Sequence, residues 1–138
     1  MKPQITFAIV DHDPDYLGLE IRMSNDRYSA TTRIYADNSQ LTEFCDVIEG
    51  FPKGYNDARE YTFGTKDAGF TGGYCKFYFR CNSATGSSTI TTEVKDDETH
   101  HDTASATFNI VILPAELDNF IRKLKNLESK RSGQASLN

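Results

Sequence analysis

Shifted against itself by 76 residues, this sequence aligns Ser29-Ala30-Thr31 with Ser105-Ala106-Thr107, Ile34 with Ile110, Leu41 with Leu117 and Phe44 with Phe120. Cys45 then falls on Ile121 and Ile48 on Leu124, so the match in hydrophobic character runs on through a helical stripe. Each unit feeds a strand into an amphipathic helix, and two such units predict an internal pseudo-twofold duplication. Common origin and independent patterning lead to the same architecture. Both predict an α+β domain in which two helices cover one face of a mostly antiparallel sheet of six or seven strands.

Period-two alternation supplies the strands. Gln4 to Val10 is an apolar run closed by Asp11-His12-Asp13-Pro14-Asp15, a strand and a turn. Leu17, Leu19, Ile21 and Met23 alternate with polar residues, as do Tyr28, Ala30, Thr32 and Ile34. A two-residue loop at Asn25-Asp26 would set Met23 opposite Tyr28, Ile21 opposite Ala30 and Leu17 opposite Ile34. Arg59 to Phe63 reads as a further strand. Tyr74 to Asn82 alternates strictly, with Cys75, Phe77, Phe79 and Cys81 directed inward, and Thr89 to Lys95 and Ala104 to Leu113 complete the set.

Two segments switch to helical spacing. Leu41, Phe44, Cys45 and Ile48 form an i, i+3, i+4, i+7 stripe behind the cap candidates Asp37, Asn38 and Ser39, and the stripe ends near Gly50 and Pro52. Leu117, Phe120, Ile121, Leu124 and Leu127 make a second stripe. It opens at Pro114, whose fixed φ suits a first turn, and Glu116 and Asp118 near its start complement Lys123 and Lys125 near its end. Residues 1–130 therefore read as a single domain, and 131–138 as a frayed tail rich in Ser, Gly and Gln.

Charge restricts the partners. The net charge is −5, yet Arg122 to Arg131 alone contributes +4, which leaves −9 on the rest of the chain. An acidic body opposes nucleic-acid binding and suits a basic protein partner. Nothing reaches the 18 or so consecutive apolar residues of a membrane helix, and the first ten residues lack the pattern of a signal peptide, so a cytoplasmic location is expected. Three cysteines agree with a reducing compartment. Cys75 and Cys81 lie six strand steps apart, about 20 Å, too far to bridge, and Cys45 sits on a helix stripe as a small core residue.

Catalytic signatures are missing: the chain has no G-x-S-x-G, P-loop, dinucleotide fingerprint, H-E-x-x-H or C-x-x-C. The three histidines fall in turns rather than beside a nucleophile, so a non-catalytic domain without a cofactor is expected. Two acidic loops stand out instead. Asp11, Asp13 and Asp15 form one; Asp96, Asp97, Glu98 and Asp102 form the other. With Tyr55 and Phe70, aromatics in polar surroundings, these are the candidate partner-binding residues. If the loops met, His12, His100 and His101 could join them around a divalent cation, although neither loop has the spacing of a calcium site; solvated turns are the expectation.

The second unit, Ser105-Ala-Thr-Phe-Asn-Ile-Val-Ile-Leu-Pro-Ala-Glu-Leu-Asp-Asn-Phe-Ile-Arg-Lys-Leu, resembles the closing strand and helix of small bacterial proteins grouped with the WapI-like immunity proteins. The resemblance covers about the last quarter of the chain plus the overall strand order, and carries over no binding residue. It implies a small, acidic, cytoplasmic inhibitor that binds a basic toxin domain stoichiometrically. The expected function is thus an immunity-type protein-binding domain, monomeric or a weakly associating homodimer. The alternative is a domain that holds a small molecule or metal between sheet and helices.

Overall fold

A computed structural model describes residues 4–64, 73–96 and 104–137. The elements are β1 (Gln4–Asp13), β2 (Tyr16–Ser24), β3 (Ser29–Asp37), α1 (Gln40–Ile48), β4 (Ala58–Gly64), β5 (Tyr74–Cys81), β6 (Ser88–Lys95), β7 (Ser105–Ile112), α2 (Pro114–Lys130) and β8 (Gln134–Leu137). The fold is α+β with every strand pairing antiparallel. The strands divide into two four-stranded sheets, sheet A in the order β3-β2-β1-β8 and sheet B in the order β4-β5-β6-β7, rather than one sheet of six or seven. No helix among the described residues is long and apolar enough to cross a membrane.

The duplication organises this division. Each half runs through a three-stranded meander, a helix and one more strand: β1-β2-β3-α1-β4, then β5-β6-β7-α2-β8. The strand after each helix joins the other half's sheet, β4 pairing with β5 and β8 with β1. This exchange merges the halves into one core. Phe7 of β1 and Phe77 of β5, equivalent first-strand residues, stack at 5.9 Å between centroids, and Phe44 of α1 reaches both at 5.8 and 5.6 Å. Phe120 of α2 meets Phe7 at 5.6 Å. Phe44 thus buries the α1 stripe against both sheets, and Phe120 packs the α2 stripe on sheet A. The space in which a ligand between sheet and helices would sit is filled by this phenylalanine cluster, each ring at most 1% exposed.

Three local expectations change. The β2–β3 hairpin pairs Met23 with Ala30, Ile21 with Thr32, Leu19 with Ile34 and Leu17 with Ala36, two residues off the predicted register. Asn25 Oδ1 accepts from the amides of Arg27 and Tyr28, both at 2.8 Å, and Asn25 N donates to Tyr28 O. This side-chain turn lengthens the loop and carries Tyr28 out of the ladder. Because the slip is even, every residue keeps its face. The tail is not frayed: Gly133, at φ +98°, turns the chain back after α2, and Ala135 and Leu137 are each 1% exposed in β8. Four residues are too few to read as a strand without the partner β1 in view. Finally, β1 runs on to Asp13 through a bulge at Val10.

Candidate functional site

The bulge decides where the first acidic loop points. Ile9 pairs with Leu19 on the core face, so a regular ladder would set Val10 opposite Gly18 on the outer face. Asp11 takes that place instead. Asp13 follows opposite Tyr16, and His12, opposite Leu17, is left on the other side of the strand from both aspartates. The bulge favours Gly18 here, since a Cβ on it would approach the Asp11 Cβ to 3.0 Å, closer than an ordinary contact.

The outer face of sheet A therefore ends in an acidic, aromatic patch. Tyr16 donates its hydroxyl to Asp11 Oδ2 at 3.0 Å and packs edge-on against Tyr35 at 5.3 Å between centroids, 87° between planes. That hydrogen bond, reinforced by the Asp11 and Asp13 charges, holds the Tyr16 phenol above its ordinary value of 10. Tyr35 is 61% exposed. Asp13 Oδ1 accepts from the amides of Asp15 and Tyr16, which fixes the turn. Arg131 braces it from beneath, donating to the carbonyls of Asp13 and Tyr16 and to Asn38 Oδ1. With its charge on carbonyls and an amide, Arg131 positions the turn while the aspartates stay outward.

Away from the patch the same face changes character row by row. Glu20 pairs with Arg33 at 3.1 Å in the middle. At the far end lies an open groove of about 480 Å³ lined by Gln4, Thr6, Arg22, Ser24, Thr31 and Gln134. Thr6, in its lining, shares a hydroxyl hydrogen bond of 2.9 Å with Ser136. Carboxylates and tyrosines at one end and amides, hydroxyls and a guanidinium at the other make this face polar throughout.

Asp96, the described residue of the second acidic cluster, lies apart from the first. Asp96, whose amide closes its loop on Ala104 O at 2.8 Å, adjoins Lys95, the residue whose carbonyl takes Thr32 Oγ1. Asp13 stands in the row of Tyr16 and Asp37. Five strand steps along β3, about 16 Å, separate those rows. Among the described residues no three His, Cys, Asp or Glu side chains are grouped to hold a metal ion. Asp97, Glu98, His100, His101, Asp102 and Phe70 lie outside the described residues.

Tyr55 sits elsewhere, 62% exposed beside a crevice of about 410 Å³ between the α1–β4 loop, the β5–β6 loop and the start of α2. Its neighbour Phe51 folds into the core against Phe79 at 5.6 Å. Arg59 anchors this loop with bonds to both Asp57 oxygens and to the Val47 and Glu49 carbonyls at the end of α1. Its guanidinium holds the Asp57 carboxyl below the usual range. The thiols of Cys45 and Cys75 are buried, and Cys45 is pushed up to about 11 by that burial.

Fold and site together define a strand-exchanged α+β domain with a polar, acid-ended sheet face. No family model matches the sequence, and neither a curated protein nor a solved structure matches it. Alternation places Tyr16 and Tyr35 on the outer face, and strand register brings them beside Asp11 and Asp13. The acidic pair Asp11 and Asp13 was legible.

Proposed function

We propose that this chain is a non-catalytic protein-binding domain of the immunity-inhibitor kind, and that it engages a basic toxin partner with the acid-ended outer face of sheet A. The observation that carries the reading is the bulge at Val10, which sets Asp11 and Asp13 on the same face as the Tyr16–Tyr35 pair. A lysine or arginine of the partner meets carboxylates and the face of an exposed aromatic ring together, and each strengthens the other as water is displaced. The groove at the far end, lined by Arg22 together with hydroxyls and amides, supplies hydrogen-bonding groups for the partner's backbone. The net charge of −5 steers such a partner toward the face.

The test is a pull-down from the source lysate at low and moderate salt with three baits: wild type, Asp11→Asn/Asp13→Asn and Tyr35→Ala. One basic, salt-sensitive partner retained by wild type and lost from both variants supports the reading. Equal retention by all three baits, with unchanged thermal melts, would dismiss this face.

A further inference from the structure

Four strands form the edges of the two sheets, and three of them have an outward carbonyl closed by another part of the chain. On β3, Arg33 O accepts from Gly73 N at 2.7 Å; on β7, Asn109 O accepts from Asn25 Nδ2 at 2.8 Å. On β8, Ser136 O accepts from Lys123 Nζ at 3.3 Å. Such closures keep an edge from recruiting a foreign strand.

The fourth edge, β4, is different. Cys81 N donates to Asp57 O at 3.1 Å, which sets the phase of the β4–β5 ladder. Arg59, Tyr61 and Phe63 therefore exchange bonds with β5, and the N–H and C=O groups of Ala58, Glu60 and Thr62 point away from the sheet. Among the described residues these outward groups have no hydrogen-bond partner.

The duplication shows why. Thr62 of β4 corresponds to Ser136 of β8, because they pair with Lys76 and Thr6, the residues just before the equivalent Phe77 and Phe7. On the helices, the residue aligned with Lys123 is Val47, which has no donor. The cap that closes β8 is thus absent from β4. The surroundings select an occupant. Glu60, paired at 3.2 Å with Lys76, remains 58% exposed, and α1, joined to β4 by Tyr61 Oη donating to Glu43 Oε2, exposes Glu43 and Asp46 and contains no basic residue. A second copy would bring these acids against themselves, whereas a basic segment complements them.

We infer that the β4 edge accepts an extended, lysine- or arginine-bearing segment of a partner protein as a fifth strand of sheet B. Backbone bonds to Ala58, Glu60 and Thr62 supply the register and Glu60 and Glu43 select the charge. This surface goes beyond the sheet A reading and shares none of its residues.

The probe is an end-blocked heptapeptide of alternating Lys and Val, with alternating Glu and Val as its counterpart, titrated into the isotope-labelled full chain and followed by NMR. The expected result is amide shifts at Ala58, Glu60 and Thr62 with the lysine peptide alone, and at least tenfold slower hydrogen exchange there. Thr62→Pro removes one outward N–H without touching the β5 ladder, and Val47→Lys supplies the missing cap. Each should weaken binding at least tenfold, with melts showing the fold intact. Shifts confined to Asp11–Tyr16, no shifts at β4 up to millimolar peptide, or outward amides already protected in the free chain would each overturn the inference. Protection that rises with protein concentration would instead assign the edge to a second copy, and would also overturn it.

Discussion

Cys45 donates its thiol to the backbone carbonyl of Ile121 across 3.7 Å, and these are the two residues that the 76-residue shift aligns. Equivalent positions of the two halves therefore touch where α1 and α2 pack. The contact depends on a small side chain at one of them, since Cys45 is fully buried. Replacing it with the residue its counterpart carries, Cys45→Ile, inserts volume at this contact between the helices. The expected cost is about 1–3 kcal/mol in urea titration, and an unchanged midpoint would show that the helices have room to spare.

Phe44 contacts both sheets, so Phe44→Ala opens a void at the centre of the molecule rather than under one sheet. A loss of about 3–5 kcal/mol is expected, with a single transition for both halves because they share one core. Two separated transitions in calorimetry would count against that shared core.

Truncation after Ser132 tests β8. Ala135 and Leu137 cover Phe7 and Ile5 on the free side of β1. Losing the buried leucine alone is worth about 1.5–3 kcal/mol, and lost backbone pairing adds to it. A shortened chain that melts at the wild-type temperature would return 131–138 to the status of a frayed tail.

Gly18→Ala places a Cβ against Asp11 at the bulge. About 1–3 kcal/mol of destabilisation is expected, and because relief must come from the bulge, Tyr16 and Asp11 amide shifts should move as well. Alanine tolerated with unchanged shifts would mean that the bulge does not dictate glycine.

Burial raises the Tyr61 phenol from 10 to about 12. A raised native value favours the protonated form, so this contribution is fully present below pH 10 and is lost as pH climbs from 10 to 12. Urea midpoints measured across that interval should fall for wild type and fall less for Tyr61→Phe. Parallel curves would place the alkaline sensitivity in other groups.

Local spacing determined the element types and the faces. Alternation put Phe77 and Phe79 inside and the i, i+3, i+4 stripes placed Phe44 and Phe120 on the packed sides of their helices, because side-chain direction follows from neighbouring backbone geometry. The same alternation carried the β2–β3 hairpin through a two-residue slip with every face intact. It also made the aspartates at 11 and 13 visible as a pair. Three things waited for the tertiary structure. The exchange of β4 and β8 between halves depends on where each helix delivers the chain after crossing its counterpart. The outward turn of Asp11 depends on one extra residue in a ladder, a shift that alternation cannot reveal. That the outward groups of β4 have no partner among the described residues goes with Val47 standing where the other half has Lys123, which matters only once Thr62 and Ser136 are seen to be equivalent. Each is a relation between residues far apart in sequence. Periodicity reports which way a side chain faces, and only packing decides what lies there to meet it.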